Sequence, residues 1–425
     1  MLNKEDLLGV LQEWNVWKQD PSRFCGIERE LTAEIIKYVD VPEVLVLFGV
    51  RRCGKSTIMY QLMKRLMERG VAREQFLCVN FEERAFINEL SVELIDRVYE
   101  LYLEKINPGR KTYLFLDEVQ KIPGWETWVR SIYDKKKDVK IVISGSSSGL
   151  LSREFGSALT GRYLSFRVLP LCFREFVGFQ GPRPASSHER KARFSEFLEW
   201  GGFPEVVLRE KDYRKRLLND YFDGIISRDI EERHEIRDST ALKRICIFLL
   251  TNVSKSVSYN SIKNTFGISL DTAKEYVSYM EEAFLVFEHL YFSYSLKEQM
   301  ARQRKIYCID NGLRNANSVL FSRDIGRLVE NAVFLELMHK GREVFYWRNG
   351  NEVDFIVRNG KDILPINVSY GEDINKREVA GLLSFMKEHR VKEGLVLTED
   401  SHEEKSYPEG KIRFVPVWLW LLGEG

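Results

Sequence analysis

The sequence predicts an α/β fold in which helices cover both faces of a parallel sheet. Three observations support this fold. Five short apolar segments alternate with segments of helical periodicity, which is typical of strands buried in a parallel sheet. A glycine-rich loop follows the first of these segments, and two acidic residues end the third. The five segments are Val44–Phe48, Phe76–Phe81, Tyr113–Asp117, Val139–Ser144 and Tyr163–Val168.

The composition describes a globular protein of several domains with almost no net charge. Its 425 residues exceed one ordinary domain and predict two to four. The 64 basic residues nearly balance the 63 acidic ones, so no overall field attracts the protein to nucleic acid or to a membrane. No apolar run approaches the roughly 18 residues of a membrane span, and the first residues lack the apolar core of a signal peptide. We therefore expect no membrane partner.

The cysteines are spaced far apart and form no C-x-x-C pair. This spacing fits reduced thiols and argues against a disulfide framework or a structural zinc site. The location that we expect is therefore the cytoplasm. The six residues are Cys25, Cys53, Cys78, Cys172, Cys246 and Cys308.

The first 43 residues predict helices ahead of the first strand. Leu7, Val10, Leu11 and Trp14 recur at helical spacing. A second helical stretch follows over residues 27–38. We expect this lead-in to pack beside the domain that follows.

The loop after the first strand has the pattern of a phosphate-binding loop. Gly49 and Gly54 enclose four residues, and Lys55 and Ser56 follow at once, which matches G-x-x-x-x-G-K-[ST] between a strand and a helix. Glycines let backbone N–H groups approach phosphate closely, and the helix N-terminus adds positive charge. We expect Lys55 to contact the β- and γ-phosphates of ATP and Ser56 to bind Mg²⁺. The predicted nucleotide-binding residues are Gly49, Val50, Arg51, Arg52, Cys53, Gly54, Lys55, Ser56 and Thr57.

The third strand delivers two carboxylates to the same edge of the sheet, because Asp117 and Glu118 follow its apolar residues directly. Asp117 is expected to hold Mg²⁺, and Glu118 to orient and deprotonate an attacking water. An isolated acidic pair at a strand end can also be a solvated surface feature. The second carboxylate favours a hydrolase over a kinase, because a kinase needs no base for water.

The fourth and fifth strands carry two weaker signals. Serines at 144 and 146–148 end the fourth strand, where hydroxyls could bind the γ-phosphate or the attacking water, but a serine-rich turn is an equally good interpretation. Arg162 precedes the fifth strand. It could reach the γ-phosphate bound by a neighbouring subunit and stabilise transition-state charge there, or it could be a surface residue of a loop.

These motifs together resemble a prokaryotic family of AAA-type ATPases in which the ATPase is fused to a C-terminal region of unknown function. The resemblance covers almost the whole chain. It rests on the phosphate-binding loop G-x-R-R-x-G-K-S-T, on Leu116-Asp117-Glu118-Val119-Gln120, and on Pro123-Gly124-Trp125, Ser144-Gly145-Ser146-Ser147, Gly161-Arg162, Leu169-Pro170-Leu171 and Phe173-Arg174-Glu175-Phe176.

The resemblance implies further features of the nucleotide site. The strand order would be 5-1-4-3-2, that of a P-loop NTPase. Ser146 or Ser147 would be the polar sensor, and Arg162 the arginine finger. Gly202 and Pro204 would lie in a helical lid beside the adenine, although the residues alone also fit a plain helix–helix turn.

The pattern divides the chain into five parts. Residues 1–43 are the helical lead-in, and 44–170 the ATPase core. Residues 171–237 are the lid and linker, and 238–297 a winged-helix-like module. Residues 298–425 form an α/β domain that resembles the restriction endonuclease fold.

The winged-helix-like module leaves its role open. Ser269 is expected to cap its third helix, and residues 285–292 to form the wing. A helix of such a module can enter the major groove of DNA, yet its cations Lys255, Lys263 and Lys274 are scattered. Contact with DNA and packing between domains are equally good interpretations.

The C-terminal domain departs from the nuclease pattern that it resembles. The resemblance implies Glu330 on a helix and Asp354 on a strand as acidic residues, with a further acid and a lysine on the next strand. Asn367 and Ser369 stand at those two positions. Because neither can bind a metal as a carboxylate does or stabilise phosphate charge as a lysine does, we expect a nuclease-like fold without cleavage activity.

Three functions follow as hypotheses. The first is an ATP hydrolase, with Lys55, Glu118 and Arg162 as catalytic residues and Ser56 and Asp117 as Mg²⁺ ligands, which couples the nucleotide state to its C-terminal region. The second is a slow nucleotide-dependent switch or scaffold. The third is an ATP-regulated DNA nuclease, which Asn367 and Ser369 disfavour. A homo-oligomer, DNA and a protein partner all stay open.

Overall fold

The apolar segments of the first 168 residues form one five-stranded sheet. The strands are parallel throughout, in the order β2-β3-β4-β1-β5, so the predicted α/β class and the order 5-1-4-3-2 are confirmed. Every residue of β1 and β3 is buried, which explains their apolar composition. The strands are β1 Val44–Phe48, β2 Phe76–Asn80, β3 Thr112–Asp117, β4 Val139–Gly145 and β5 Tyr163–Arg167.

This sheet belongs to the first of two units, Met1–Val168 and Leu169–Gly425. The computed structural model describes residues 2–135, 138–146, 150, 159–318, 324–371 and 376–424. No helix in these ranges is long and apolar enough to cross a lipid bilayer. All six cysteines are buried as free thiols.

Six α-helices accompany the sheet in the described residues of the first unit. The lead-in packs on the core, because Leu7 and Leu11 are buried in the same apolar cluster as the strands. Asn15 exchanges two hydrogen bonds with the backbone of Cys78 and so satisfies the free side of edge strand β2. The helices are α1 Lys4–Trp14, α2 Ser22–Cys25, α3 Glu30–Ile35, α4 Lys55–Glu68, α5 Val92–Lys105 and α6 Trp125–Lys135.

The second unit begins with a helical segment. Its Gly201-Gly202 turn is held by the buried Asp310, because Gly202 N donates a 2.6 Å hydrogen bond to Asp310 Oδ2. A side chain at Gly201 would collide with the same carboxylate. The helices are α7 Phe173–Phe179, α8 Ser187–Trp200, α9 Pro204–Leu208 and α10 Lys211–Ile225, which continues as the π-helix Ile226–Glu231.

A three-stranded antiparallel sheet in the order β6-β8-β7 follows, together with four α-helices. Ser269 caps the third of these helices through Thr272 N, as predicted. The central strand β8 pairs with both β6 and β7. It lies beyond residue 297, which was the predicted end of the winged-helix-like module. The elements are α11 Ser239–Thr251, β6 Ser256–Val257, α12 Tyr259–Phe266, α13 Leu270–Glu282, β7 Val286–His289, α14 Leu296–Ala301 and β8 Arg304–Cys308.

The last part of the chain forms a mixed six-stranded sheet in the order β13-β14-β12-β11-β10-β9. Hairpins occur at its two Asn-Gly sequences, with Gly350 and Gly360 at φ of 74° and 65°. The elements are α15 Asn311–Asn317, α16 Ile325–His339, β9 Glu343–Asn349, β10 Asn351–Asn359, β11 Asp362–Ser369, α17 Lys376–His389, β12 Glu393–Thr398, β13 Glu403–Tyr407, β14 Gly410–Pro416 and α18 Val417–Leu421.

Candidate functional site

The glycine-rich loop joins the end of β1 to the start of α4. Gly54, at a φ of 98°, directly precedes the first helical residue, Lys55. Gly49 lies over the end of β5, where Val168 N donates a 2.8 Å hydrogen bond to Phe48 O. A Cβ on Gly49 would come within 2.0 Å of the Val168 carbonyl oxygen. The loop therefore requires glycine at 49 for space and at 54 for its backbone conformation.

Lys55 folds back over this loop. Its Nζ donates hydrogen bonds of 3.0 Å to the carbonyl oxygens of Gly49 and Val50, and it lies 3.8 Å from Glu118 Oε1. The side chain is almost fully buried. An ammonium held at the rim of a helix N-terminus is suited to bind phosphate oxygens, because these would replace the weaker carbonyl acceptors.

Ser56 and Asp117 meet at the start of α4. Ser56 Oγ donates a 2.6 Å hydrogen bond to Asp117 Oδ2, and Ser144 Oγ donates to Asp117 Oδ1. Burial raises the pKa of Asp117, and the neighbouring Glu118 raises it further, whereas the two serine donors oppose the shift. A hydroxyl beside a carboxylate fits Mg²⁺, which takes few protein oxygens and completes its octahedron with phosphate and water.

Glu118 adopts an uncommon backbone conformation, with φ of 53° and ψ of 41° in the left-handed region. Its N–H donates a 3.3 Å hydrogen bond to Ser144 Oγ. The structure therefore brings the predicted residues Lys55, Ser56, Asp117 and Glu118 together at one edge of the sheet.

The lead-in supports the phosphate-binding loop from behind. The buried Arg29 donates a 2.7 Å hydrogen bond to the carbonyl oxygen of Cys53. Gln61 on α4 accepts hydrogen bonds from Arg29 N and Thr32 Oγ1. Arg51, in the loop itself, pairs with Glu82 at 2.8 Å. No motif in the sequence indicates the Arg29 contact, because it joins segments that are only close in the fold.

The residues of the weaker predictions lie in different parts of the structure. Ser146 is buried directly after β4, and Ser147 lies outside the described residues. Arg162 is about one-third exposed and its Nε lies 3.4 Å from Asp134 Oδ1. Pro204 is the first residue of α9 in the second unit. Its contact with adenine, the sensor role of Ser146 and the finger role of Arg162 stay predictions.

Three segments of the chain match known protein families. Residues 41–177, which contain the loop and the acidic pair, match the family described as AAA domain. Two later segments match domains of unknown function, DUF8612 over residues 191–324 and DUF4143 over residues 325–420.

Two relatives extend over nearly the whole chain. An uncharacterized protein of Haemophilus influenzae is 30% identical over 393 residues, which cover 91% of this chain and 96% of that protein. The uncharacterized protein MJ1544 of Methanocaldococcus jannaschii is 32% identical over 404 residues, which cover 89% of this chain and 88% of that protein. The chain belongs to their family of AAA-domain proteins.

A solved structure is also similar to this AAA-domain protein. The Walker-type ATPase PABY2304 of Pyrococcus abyssi is 15% identical, with a TM-score of 0.44. The match covers 68% of this chain and 95% of that chain.

A second polar cluster lies in the C-terminal part of this AAA-domain protein. Lys305 Nζ, buried on β8, lies 2.8 Å from Glu330 Oε1, 3.0 Å from Asp354 Oδ1 and 2.7 Å from Glu352 Oε1. Asn367 Oδ1 accepts a 2.7 Å hydrogen bond from Asp354 N. Glu330, Asp354 and Asn367 are thus brought together, and an ammonium from another strand lies among the carboxylates.

Burial controls the charges of this second cluster. It raises the pKa of Glu330 to about 7, with a further contribution from Asp354. It also raises the pKa of Glu378 to about 8, again with Asp354 contributing. Burial disfavours the charge of Lys305, but Asp354 and Glu330 raise its pKa well above the usual value. The cluster therefore keeps its cation and holds part of its carboxyls protonated near neutral pH.

The sequence does not indicate the contacts of three residues of these two sites. Ser144 belongs to the serines expected near the γ-phosphate or the attacking water, but its hydrogen bonds to Asp117 and Glu118 were not predicted. Gln120 was part of a recognised motif but had no assigned role. No sequence motif indicates Lys305, because its strand lies before the nuclease-like pattern that contains Glu330 and Asp354.

Proposed function

We propose that this protein hydrolyses ATP in the presence of Mg²⁺. The observation that carries the proposal is the convergence of Lys55, Ser56, Asp117 and Glu118 at the end of the parallel sheet. Lys55 would leave the loop carbonyls to bind the β- and γ-phosphates. Glu118 would take a proton from water as its oxygen attacks the γ-phosphorus, and ADP would leave as the bond to the β–γ bridging oxygen breaks.

Mg²⁺ would be held by Ser56 and Asp117, where it would neutralise charge on the phosphates. The Ser56 hydroxyl already lies 2.6 Å from Asp117 Oδ2, so both oxygens are available to one small ion. Ser144 supports Asp117 from the neighbouring strand. This donor set consists of hard oxygens, which Mg²⁺ prefers.

The Glu118→Gln variant tests the proposal. It keeps the shape of the side chain but cannot accept the proton of the attacking water, so we expect turnover to fall about 100-fold or more while ATP still binds. Phosphate release and the affinity for a fluorescent ATP analogue would be measured on both proteins. An unchanged turnover contradicts the proposed role of Glu118. Wild-type turnover too slow to distinguish from background favours the alternative, a nucleotide-dependent switch or scaffold.

We further propose that Arg162 completes the site of a neighbouring subunit in a homo-oligomer. In support, its side chain is partly exposed and forms an ion pair with Asp134, itself partly exposed. Sizing the protein with and without a non-hydrolysable ATP analogue tests this role. A monomer under both conditions contradicts it, as does full turnover of Arg162→Ala.

We also propose that the nucleotide state controls binding of DNA or of a protein by the second unit. In support, residues 239–308 form three antiparallel strands and four helices, and apart from the additional helix α14 their order resembles that of a winged helix. Lys255, Lys263 and Lys274 are exposed on it. Anisotropy of a labelled duplex, measured with and without ATP, tests for DNA. Binding that Lys263→Glu weakens and the surface control Lys361→Glu leaves unchanged supports it; equal binding by both variants contradicts it.

The nuclease alternative receives less support. Lys305 occupies the space between Glu330 and Asp354, and Asn367 uses its amide group to bond backbone atoms of Asp354, Glu352 and Glu378. Mg²⁺-dependent cutting of DNA that Asp354→Ala abolishes would overturn the assignment of this domain as inactive.

A further inference from the structure

Gln120 lies beside the carboxylate of Glu118 in the short helical turn after β3. Its Nε2 donates a 2.5 Å hydrogen bond to Glu118 Oε2. An ionised carboxylate can only accept hydrogen bonds, so the amide nitrogen must be the atom that faces it. The chemistry thus fixes which end of the Gln120 amide points to Glu118.

The amide oxygen of Gln120, Oε1, is buried without a hydrogen-bond partner in the described part of the chain. It lies against Gly145 at the end of β4, where a Cβ would be 2.3 Å from it. A buried acceptor without a donor costs about 1–3 kcal/mol. Among the described residues, the amide nitrogen is therefore the end of Gln120 that has a hydrogen-bond partner, and that partner is Glu118.

The two oxygens of Glu118 have different neighbours. Oε2 accepts from Gln120, whereas Oε1 faces the ammonium of Lys55 at 3.8 Å. Lys55 is also the proposed ligand of the phosphates, whereas the hydrogen bond from Gln120 Nε2 is directed at Glu118. A neutral amide also does not give up its proton, so it can orient the carboxylate without protonating it.

We propose that Gln120 is a positioning residue for hydrolysis, which holds Glu118 Oε2 so that Oε1 faces the attacking water. This inference rests on the proposed ATP hydrolysis. The water oxygen forms a bond to the γ-phosphorus, and its proton passes to Oε1. The bond between the γ-phosphorus and the bridging oxygen breaks, and ADP keeps that electron pair. Glu118 then returns its proton to phosphate or to solvent.

The experiment compares three full-length variants: Gln120→Met, which keeps the volume but has no N–H; Gln120→Glu, which adds a carboxylate; and Glu118→Gln. Turnover and KM for ATP are measured from pH 5.5 to 9, together with the affinity for a fluorescent ATP analogue. We expect Gln120→Met to lower kcat about 10- to 100-fold with KM and affinity within about twofold of the wild type. We expect Gln120→Glu to lower kcat further through repulsion of Glu118.

The pH dependence of kcat distinguishes a positioning role of Gln120 from a role in packing alone. Without the amide donor the ionised form of Glu118 is less stabilised, so the acidic limb of kcat should move to higher pH in Gln120→Met. A wild-type kcat and pH profile in Gln120→Met overturns the inference, and the proposed hydrolysis stands if Glu118→Gln is inactive in the same assay. Absence of turnover in the wild type overturns both. Analogue affinity confirms that each variant is folded.

Discussion

The hydroxyl of Ser144 donates a hydrogen bond to the carboxylate of Asp117, and the same oxygen accepts one from the N–H of Glu118. One side chain of β4 therefore holds both members of the acidic pair at the end of β3. The two strands are neighbours in the sheet, which is why residues 27 positions apart meet at this point.

Ser144→Ala should weaken Mg²⁺-dependent turnover about tenfold, because Asp117 loses a donor that stabilises its charge. Burial already raises the pKa of Asp117, and loss of the donor raises it further. The carboxyl then becomes protonated at a higher pH as the solution is acidified. Titration of activity with Mg²⁺ at pH 6 and pH 8 should show the larger deficit at pH 6. Equal Mg²⁺ requirements in variant and wild type would refute this role.

Gly49→Ala should abolish nucleotide binding and destabilise the first unit by about 2 kcal/mol or more, because the new Cβ would meet the Val168 carbonyl oxygen. Gly9→Ala is the matched control on α1, where a Cβ meets no atom within 4 Å. It should stabilise the same unit by about 0.5–1 kcal/mol. Thermal melting and binding of an ATP analogue check both. A Gly49→Ala protein that melts and binds normally would contradict the close approach at Val168.

Lys305→Met should destabilise the second unit by about 3–5 kcal/mol at pH 8, because it leaves buried carboxylates without their cation. The effect should shrink at pH 5, where Glu330, with its pKa near 7, is protonated. Lys411→Met removes an exposed pair with Glu404 and should leave stability almost unchanged, because solvent screens such pairs. Urea unfolding of both variants measures the difference, and equal losses would count against a buried ion cluster.

Glu378→Gln should make the second unit less sensitive to alkaline pH. The pKa of Glu378 is raised from 4.5 to about 8, so its contribution to stability is complete below pH 4.5 and is lost as the pH rises through 8. Glutamine is neutral throughout. The variant should therefore match the wild type near pH 4.5 and exceed its stability at pH 9 by about 1–2 kcal/mol, a value reduced for partial solvation. Hydrogen exchange of β10 and β11 at both pH values would detect this, and a parallel pH dependence in the two proteins would exclude it.

The sequence predicted those features that depend on neighbouring residues. The phosphate-binding loop and the acidic pair are local patterns, and the strand order followed from the resemblance that they carry. Ser144 and Gln120 are different, because their roles depend on which oxygen of Asp117 or Glu118 they reach. Only the packing of β3 beside β4 determines that.

The second cluster was harder to predict. Glu330, Asp354 and Asn367 were identified as positions of a nuclease-like pattern, but Lys305 lies on β8, a strand that pairs with β6 and β7. Its side chain crosses to carboxylates of other elements. A linear motif cannot indicate a cation supplied by a strand of a different sheet.

The contact between Gly49 and Val168 also fixes the point at which the chain leaves the first unit. Val168 is the last residue of the first unit, and its peptide is bonded to the end of β1 directly beneath the phosphate-binding loop. The chain that leaves the first unit therefore starts from a peptide anchored beside the phosphate-binding loop, with no space for a side chain between that peptide and Gly49.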